Sequence, residues 1–176
     1  MRILVLGGIR SGKSEWAESV IAQSVGAEDP VRYLATGRVA DDDAWAARVS
    51  THRARRPNHW TTTETADAAK QLRADDSLPT LVDDIGGWLT AAMDRVDAWT
   101  GGSIQADIDD LLDAVAGYEA DLVLVSPEVG LTVLPETVAG RRFADELGAL
   151  NQRLAELCDR VVLVVAGQSV VVKEPS

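Results

Sequence analysis

The sequence predicts an α/β domain with a mainly parallel sheet flanked by helices. Two observations carry that expectation. Short apolar runs alternate with segments of helical periodicity along the chain, and the first run ends in glycines that lead into a helical segment. The 176 residues suit a single domain over 1–176, long enough for a substantial core.

Each element has its own signal. RILVL (2–6), VRYLA (31–35), TLVD (80–83), DLVLVS (121–126) and RVVLVVA (160–166) are rich in Val, Leu and Ile. They are too short for helices and read as buried strands. A helical pattern runs from Ser14 to Gln23, and a second runs from Asp43 to Arg56, stopping before Pro57. Ile104, Ile108, Leu111, Leu112 and Val115 form one apolar face after Ser103, a candidate N-cap. Phe143, Leu147, Leu150, Leu154 and Leu157 mark the last helix, with Cys158 continuing its apolar side. TGGS (100–103) is the most linker-like stretch and is too short to divide domains. In such sheets ligands bind beyond the carboxyl ends of the strands, so chemistry is expected in the loops after residues 6, 36, 83 and 126.

Composition narrows the function classes. A net charge of −11 argues against a general binder of nucleic acid or anionic membrane, which needs a basic face. The single cysteine, Cys158, rules out an intrachain disulfide and a cysteine-rich zinc site. No apolar run approaches the roughly 20 residues of a membrane helix. With no signal-peptide layout at the N-terminus, a cytoplasmic protein is expected.

Gly7, Gly8, Ile9, Arg10, Ser11, Gly12, Lys13 and Ser14 fit G-x-x-x-x-G-K-[ST], between an expected strand and an expected helix. Glycines let the backbone wrap with its N–H groups turned toward phosphate oxygens, and the helix adds its positive dipole end. Lys13 would reach the β- and γ-phosphates, and Ser14 would ligate Mg²⁺. The fold expectation thereby sharpens to a P-loop NTPase type. Such a site takes an acid from the end of a neighbouring strand; Asp83 supplies it, with Asp84 as the fallback. The plain alternative is a glycine turn beside a surface lysine.

Both histidines lie in THRARRPNHW (51–60). On a helix over 43–56, Trp45, Val49, His52 and Arg56 share a face, with Arg48 and Arg55 beside His52. Neighbouring cations disfavour imidazolium, and a neutral imidazole is a nucleophile. The same arginines could hold a triphosphate and stabilise departing pyrophosphate. On the residues alone, a partly exposed histidine on a solvated basic helix is the ordinary reading. His59, beside Pro57 and Trp60, reads as loop packing.

At this point the pattern resembles the bifunctional adenosylcobinamide kinase/adenosylcobinamide-phosphate guanylyltransferase family of cobalamin biosynthesis. The similar segments are ILVLGGIRSGKSEWAE, YLATG, ARVSTHRARRPNHWTTTE, LVDDIGGWLT, SPEVGLTVLPE and RRFADELGALNQRLAELCDRVVLVVAG. The phosphate loop is common to many families. H-R-x-x-R-P-x-x-W, E-V-G-x-x-x-x-P-E and G-x-x-N-Q are far more specific.

The resemblance implies two reactions. ATP or GTP phosphorylates the aminopropanol hydroxyl of adenosylcobinamide; GTP then gives GMP to an enzyme histidine, which passes it to adenosylcobinamide phosphate to make adenosylcobinamide-GDP. The guanylylated histidine falls on His52. Nucleotide contacts carry over onto Gly7 to Ser14, Ala35, Thr36, Gly37, Arg53, Ala54, Arg55, Arg56, Glu64 and Asp83, with Mg²⁺ at Ser14 and Asp83. The resemblance also implies a homo-oligomer, with three subunits a candidate number. The chain differs from the family pattern at Asp84 in place of cysteine, Ala91 and Pro127 in place of asparagine, and Thr132 where glycine is common. Asp83, Asp84 and Glu128 are all candidates for the kinase base. Two other readings compete: a small-molecule kinase without nucleotidyl transfer, and a nucleotide-binding regulator. The missing N-K-x-D guanine-reading motif weakens the regulator.

Overall fold

The computed structural model describes residues 1–36 and 56–175. The helix expected over 43–56 therefore lies outside the described residues, apart from Arg56, which forms a bend. In chain order the elements are β1 (Arg2–Gly7), α1 (Lys13–Ser24), β2 (Arg32–Ala35), β3 (Thr61–Glu64), α2 (Ala68–Ala74), β4 (Thr80–Asp83), α3 (Ile85–Arg95), α4 (Gln105–Ala116), β5 (Leu122–Pro127), α5 (Val138–Leu157), β6 (Arg160–Val165) and β7 (Gln168–Lys173).

The strands form one sheet in the order β3-β2-β4-β5-β1-β6-β7. Pairings are parallel except β6 with β7, which are antiparallel. The five apolar runs are the five strands from β2 to β6 in that order. Alternation divides their side chains between two cores. Ile3, Val5, Tyr33, Leu81, Val123, Val125, Val162 and Val164 pack with Ala17 and Ile21 of α1. Leu4, Leu34, Val82, Leu122, Leu124 and Val161 pack with α2, α3, α4 and α5 on the other face. Burial on both faces explains why these strands read as unbroken apolar runs.

The two edge strands differ from these, and β7 keeps Val170, Val171 and Val172 exposed. β3 is TTTE, β-branched but polar, and is exposed or half-buried throughout. β7 turns back from β6 through Ala166 and Gly167, with φ of 50° and 76°. A two-residue hairpin with positive φ at both positions matches the twist of its strands. Lys173 then donates from Nζ to the carbonyls of Ala155 (2.9 Å), Glu156 (3.3 Å) and Cys158 (2.7 Å). That places a cation on the carbonyl end of α5.

Helix starts follow side-chain caps where these exist. Asp67 accepts from Lys70 N, Asp84 from Gly86 N, and Thr137 from Gly140 N. Thr137 starts α5 well before Phe143. Ser103 is displaced by one residue as a cap: Ile104 is the cap position of α4, while the Ser103 hydroxyl accepts from Gln105 N at 3.3 Å. The short α2 and the Gly-Gly start of α3 gave little helical signal. Among the described residues no helix is long and apolar enough to cross a membrane.

Candidate functional site

The site is built on the carboxyl ends of β1, β4 and β2. β1 ends at Gly7, and the backbone turns through Arg10 (φ 56°) and Gly12 (φ 93°) before α1 starts at Lys13. Gly7 allows close approach: a Cβ there would lie 2.4 Å from Ser11 Oγ and 2.7 Å from the Val164 carbonyl. Gly12 caps α1 with no side-chain hydrogen bond, so the first-turn amides receive no side-chain acceptor from it. Ser11 Oγ is buried and has no hydrogen-bond partner among the described residues. Uncapped helix amides and a buried unpaired hydroxyl suit an anion with several acceptor oxygens. Lys13 Nζ lies across the loop on the Gly8 carbonyl at 3.3 Å, while Ile9 is 90% exposed at the tip.

Asp83 ends β4, and β5 separates β4 from β1. Ser14, in the first turn of α1, closes that gap: its hydroxyl donates to Asp83 Oδ1 at 3.3 Å. The second carboxylate oxygen accepts a short hydrogen bond from Tyr33. Burial, then the Asp83 charge, pushes the Tyr33 phenol far above its ordinary range, so it stays protonated and donates. Two converging oxygens of this kind suit a hard cation such as Mg²⁺, which completes its shell with water and phosphate. Among the described residues no group of three or more His, Cys, Asp and Glu side chains could hold a metal, so a protein-only cage is absent there.

Asp84 follows through a cis peptide bond and points into α3, where Oδ1 accepts from Gly86 N at 2.6 Å. Burial first and Asp83 second hold its carboxyl above the ordinary range, against the helix amides and Lys13. Thr36 locks the two strand ends together: its amide donates to the Asp83 carbonyl at 2.9 Å. Its hydroxyl donates to the Asp84 carbonyl at 2.5 Å and accepts from Asp84 N at 2.9 Å. At the end of β5, Glu128 N donates to the Gly7 carbonyl at 3.1 Å, and Asn151 of α5 donates to the Pro127 carbonyl at 3.0 Å.

The residues expected at the site do not form one tight cluster. Gly7 to Ser14, Asp83, Thr36 and Ala35 share the carboxyl edge. Glu64 is exposed, level with Ala35 and Asp83 in the register but on the edge strand β3. Four strand spacings separate β3 from β1, roughly 19 Å. Arg56 is turned inward: its guanidinium stacks 3.4 Å from the Tyr33 ring centroid, lies 3.8 Å from Glu18 of α1, and donates to Thr62 Oγ1 at 3.0 Å. Gly37, His52, Arg53, Ala54 and Arg55 lie outside the described residues. His59 sits away from this edge, 4.0 Å from Glu28. Tyr33 was not singled out from the sequence, because a tyrosine within an apolar strand gives no sign of which carboxylate it meets.

A family model described as cobinamide kinase / cobinamide phosphate guanyltransferase matches residues 3–172. The chain is 41% identical over 170 residues to a bifunctional adenosylcobalamin biosynthesis protein, CobP, of Pseudomonas aeruginosa, covering 95% of this chain and 94% of that one. It is 37% and 39% identical to the corresponding CobU proteins of Escherichia coli and Salmonella typhimurium, covering 98% of this chain and 100% of each relative. Among solved structures, a prototypical ATPase from a type III secretion system superposes with a TM-score of 0.54 at 13% identity. That match covers 97% of this chain and 57% of the ATPase, and it bears on fold alone.

Proposed function

The chain belongs to the cobinamide kinase / cobinamide phosphate guanyltransferase family, and from that premise we propose how its residues divide the two reactions. The observation that carries the proposal is the convergence of Ser14 and Asp83 beneath the phosphate loop. For the kinase step, loop amides and Lys13 hold the triphosphate of ATP or GTP. Ser14 and Asp83 would hold Mg²⁺, which when bound would neutralise charge on the phosphate oxygens. The adenosylcobinamide hydroxyl attacks the γ-phosphorus, the bond to the β-phosphate oxygen breaks, and the hydroxyl proton leaves to a base. Positioning and charge stabilisation supply most of the acceleration in such transfers.

For the second step, an imidazole nitrogen of His52 attacks the α-phosphorus of GTP and pyrophosphate leaves. A phosphate oxygen of adenosylcobinamide phosphate then attacks the same phosphorus and the P–N bond breaks, giving adenosylcobinamide-GDP and free His52. Ala35, Thr36, Gly37, Arg53, Ala54, Arg55, Arg56 and Glu64 are the further candidate contacts to the donor nucleotide. A homo-oligomer in the cytoplasm is the expected working form.

The test is isotope placement. GTP labelled at the α-phosphate should mark the protein covalently, and GTP labelled at the γ-phosphate should not. The bond should be acid-labile, as a phosphoramidate is. His52→Ala should not label, His59→Ala should, and phosphorylation of adenosylcobinamide should survive at least partly in His52→Ala. Normal formation of adenosylcobinamide-GDP by His52→Ala would remove the covalent step and require direct transfer.

A further inference from the structure

Tyr33 has two partners on opposite sides. Its hydroxyl donates to Asp83 Oδ2, and its ring face carries the Arg56 guanidinium. The other Asp83 oxygen is the one that meets Ser14. A carboxylate turns easily about its terminal torsion, which is broad and roughly two-fold. A hydroxyl fixed on one oxygen therefore sets the torsion at which the other faces the phosphate loop. Arg56 is itself fixed from three elements: the Tyr33 ring of β2, Glu18 one turn beyond Ser14 on α1, and Thr62 of β3. Its side chain is 8% exposed, so the contact is not a surface ion pair worth little.

We propose that Tyr33 and Arg56 are positioning residues for the metal-site acid. Tyr33 orients Asp83 so that Oδ1 faces Ser14. Arg56 seats the Tyr33 ring. A shift of Arg56 thus frees the ring that orients Asp83. Arg56 acts here through Tyr33.

This inference rests on the reading of Asp83 as the metal-site acid, so the experiment separates the two. Binding of a non-hydrolysable GTP analogue is measured by calorimetry with Mn²⁺ and again with EDTA. Tyr33→Phe keeps the ring and loses the hydroxyl. It should weaken metal-dependent binding about tenfold, the usual scale for a partner of a metal ligand, while metal-free binding stays at the wild-type level. Arg56→Met should show the same metal defect. Arg56→Lys should recover much of it, since an ammonium can still sit over the ring and pair with Glu18. Metal-dependent binding by Tyr33→Phe within twofold of wild type would overturn the inference. So would Arg56→Met with unchanged metal dependence, because Arg56 would then not act through Tyr33. If Asp83→Asn abolishes the metal dependence and Tyr33→Phe leaves it intact, only the positioning role falls. If Asp83→Asn leaves it intact as well, the metal-site reading falls first.

Discussion

The Gly167 amide donates a 2.8 Å hydrogen bond to the Ser11 carbonyl, tying the last hairpin to the phosphate loop. Gly12, at φ 93°, lies against the same turn: a Cβ on it would stand 3.2 Å from Gly167 Cα. The loop is therefore shaped by residues more than 150 positions away in sequence.

Gly167→Ala should cost about 1 kcal/mol of stability, because φ is 76° and nothing stands near the new methyl, so only left-handed backbone strain is added. Gly12→Ala adds the same strain and presses on Gly167, so it should cost more and also weaken nucleotide binding. Urea denaturation and calorimetry check the pair. Wild-type nucleotide affinity in Gly12→Ala would show that the turn does not shape the loop.

Lys13→Ala should lose both activities, since both use a triphosphate held by the loop. A loss of about 3 kcal/mol in binding is about a hundredfold in affinity. Equilibrium titration with GTP measures it, and near-normal affinity would count against the phosphate-loop assignment.

Asp83→Asn should impair Mg²⁺-dependent turnover far more than Asp84→Asn. Asp83 faces Ser14, whereas Asp84 is spent on the start of α3, and asparagine caps a helix as well as aspartate does. Kinase rates across a Mg²⁺ series decide it. The reverse ranking would place the metal one residue further on.

Cys158 should be chemically silent. Its thiol is pushed up to about 12, first by burial and then by Asp159. Below the ordinary 9.0 the thiol is protonated in both states and adds no pH dependence; as pH rises from there toward about 12 the unfolded chain ionises first and stability falls. Cys158→Ala should keep both activities, and the stability advantage of wild type over it should shrink as pH rises from 9.0 toward about 12. Alkylation of the native protein near pH 8 should be slow and become fast on unfolding. Rapid alkylation of the folded chain would show that the thiol is neither buried nor protonated.

The family and its chemistry were legible in the sequence because they reside in local patterns. Strands buried on both faces are apolar without interruption, so β1, β2, β4, β5 and β6 could be read directly. The phosphate loop is contiguous, from Gly7 to Ser14, and needs only the turn and helix start that its own residues dictate. Asp83 could be chosen because it ends a readable strand.

What the sequence left open depends on contacts between distant residues. β3 and β7 are edge strands: β3 is polar, and β7 carries Val170, Val171 and Val172 on exposed positions, a run too short to announce a buried strand. Arg56 reads as one more cation in a basic run, yet packing turns it inward onto Tyr33 and Glu18. Tyr33 reads as strand filling until the sheet order sets its hydroxyl on Asp83. Periodicity records which face a residue takes; only the folding of β1, β2 and β4 into one sheet, with α1 across them, decides which side chains meet there.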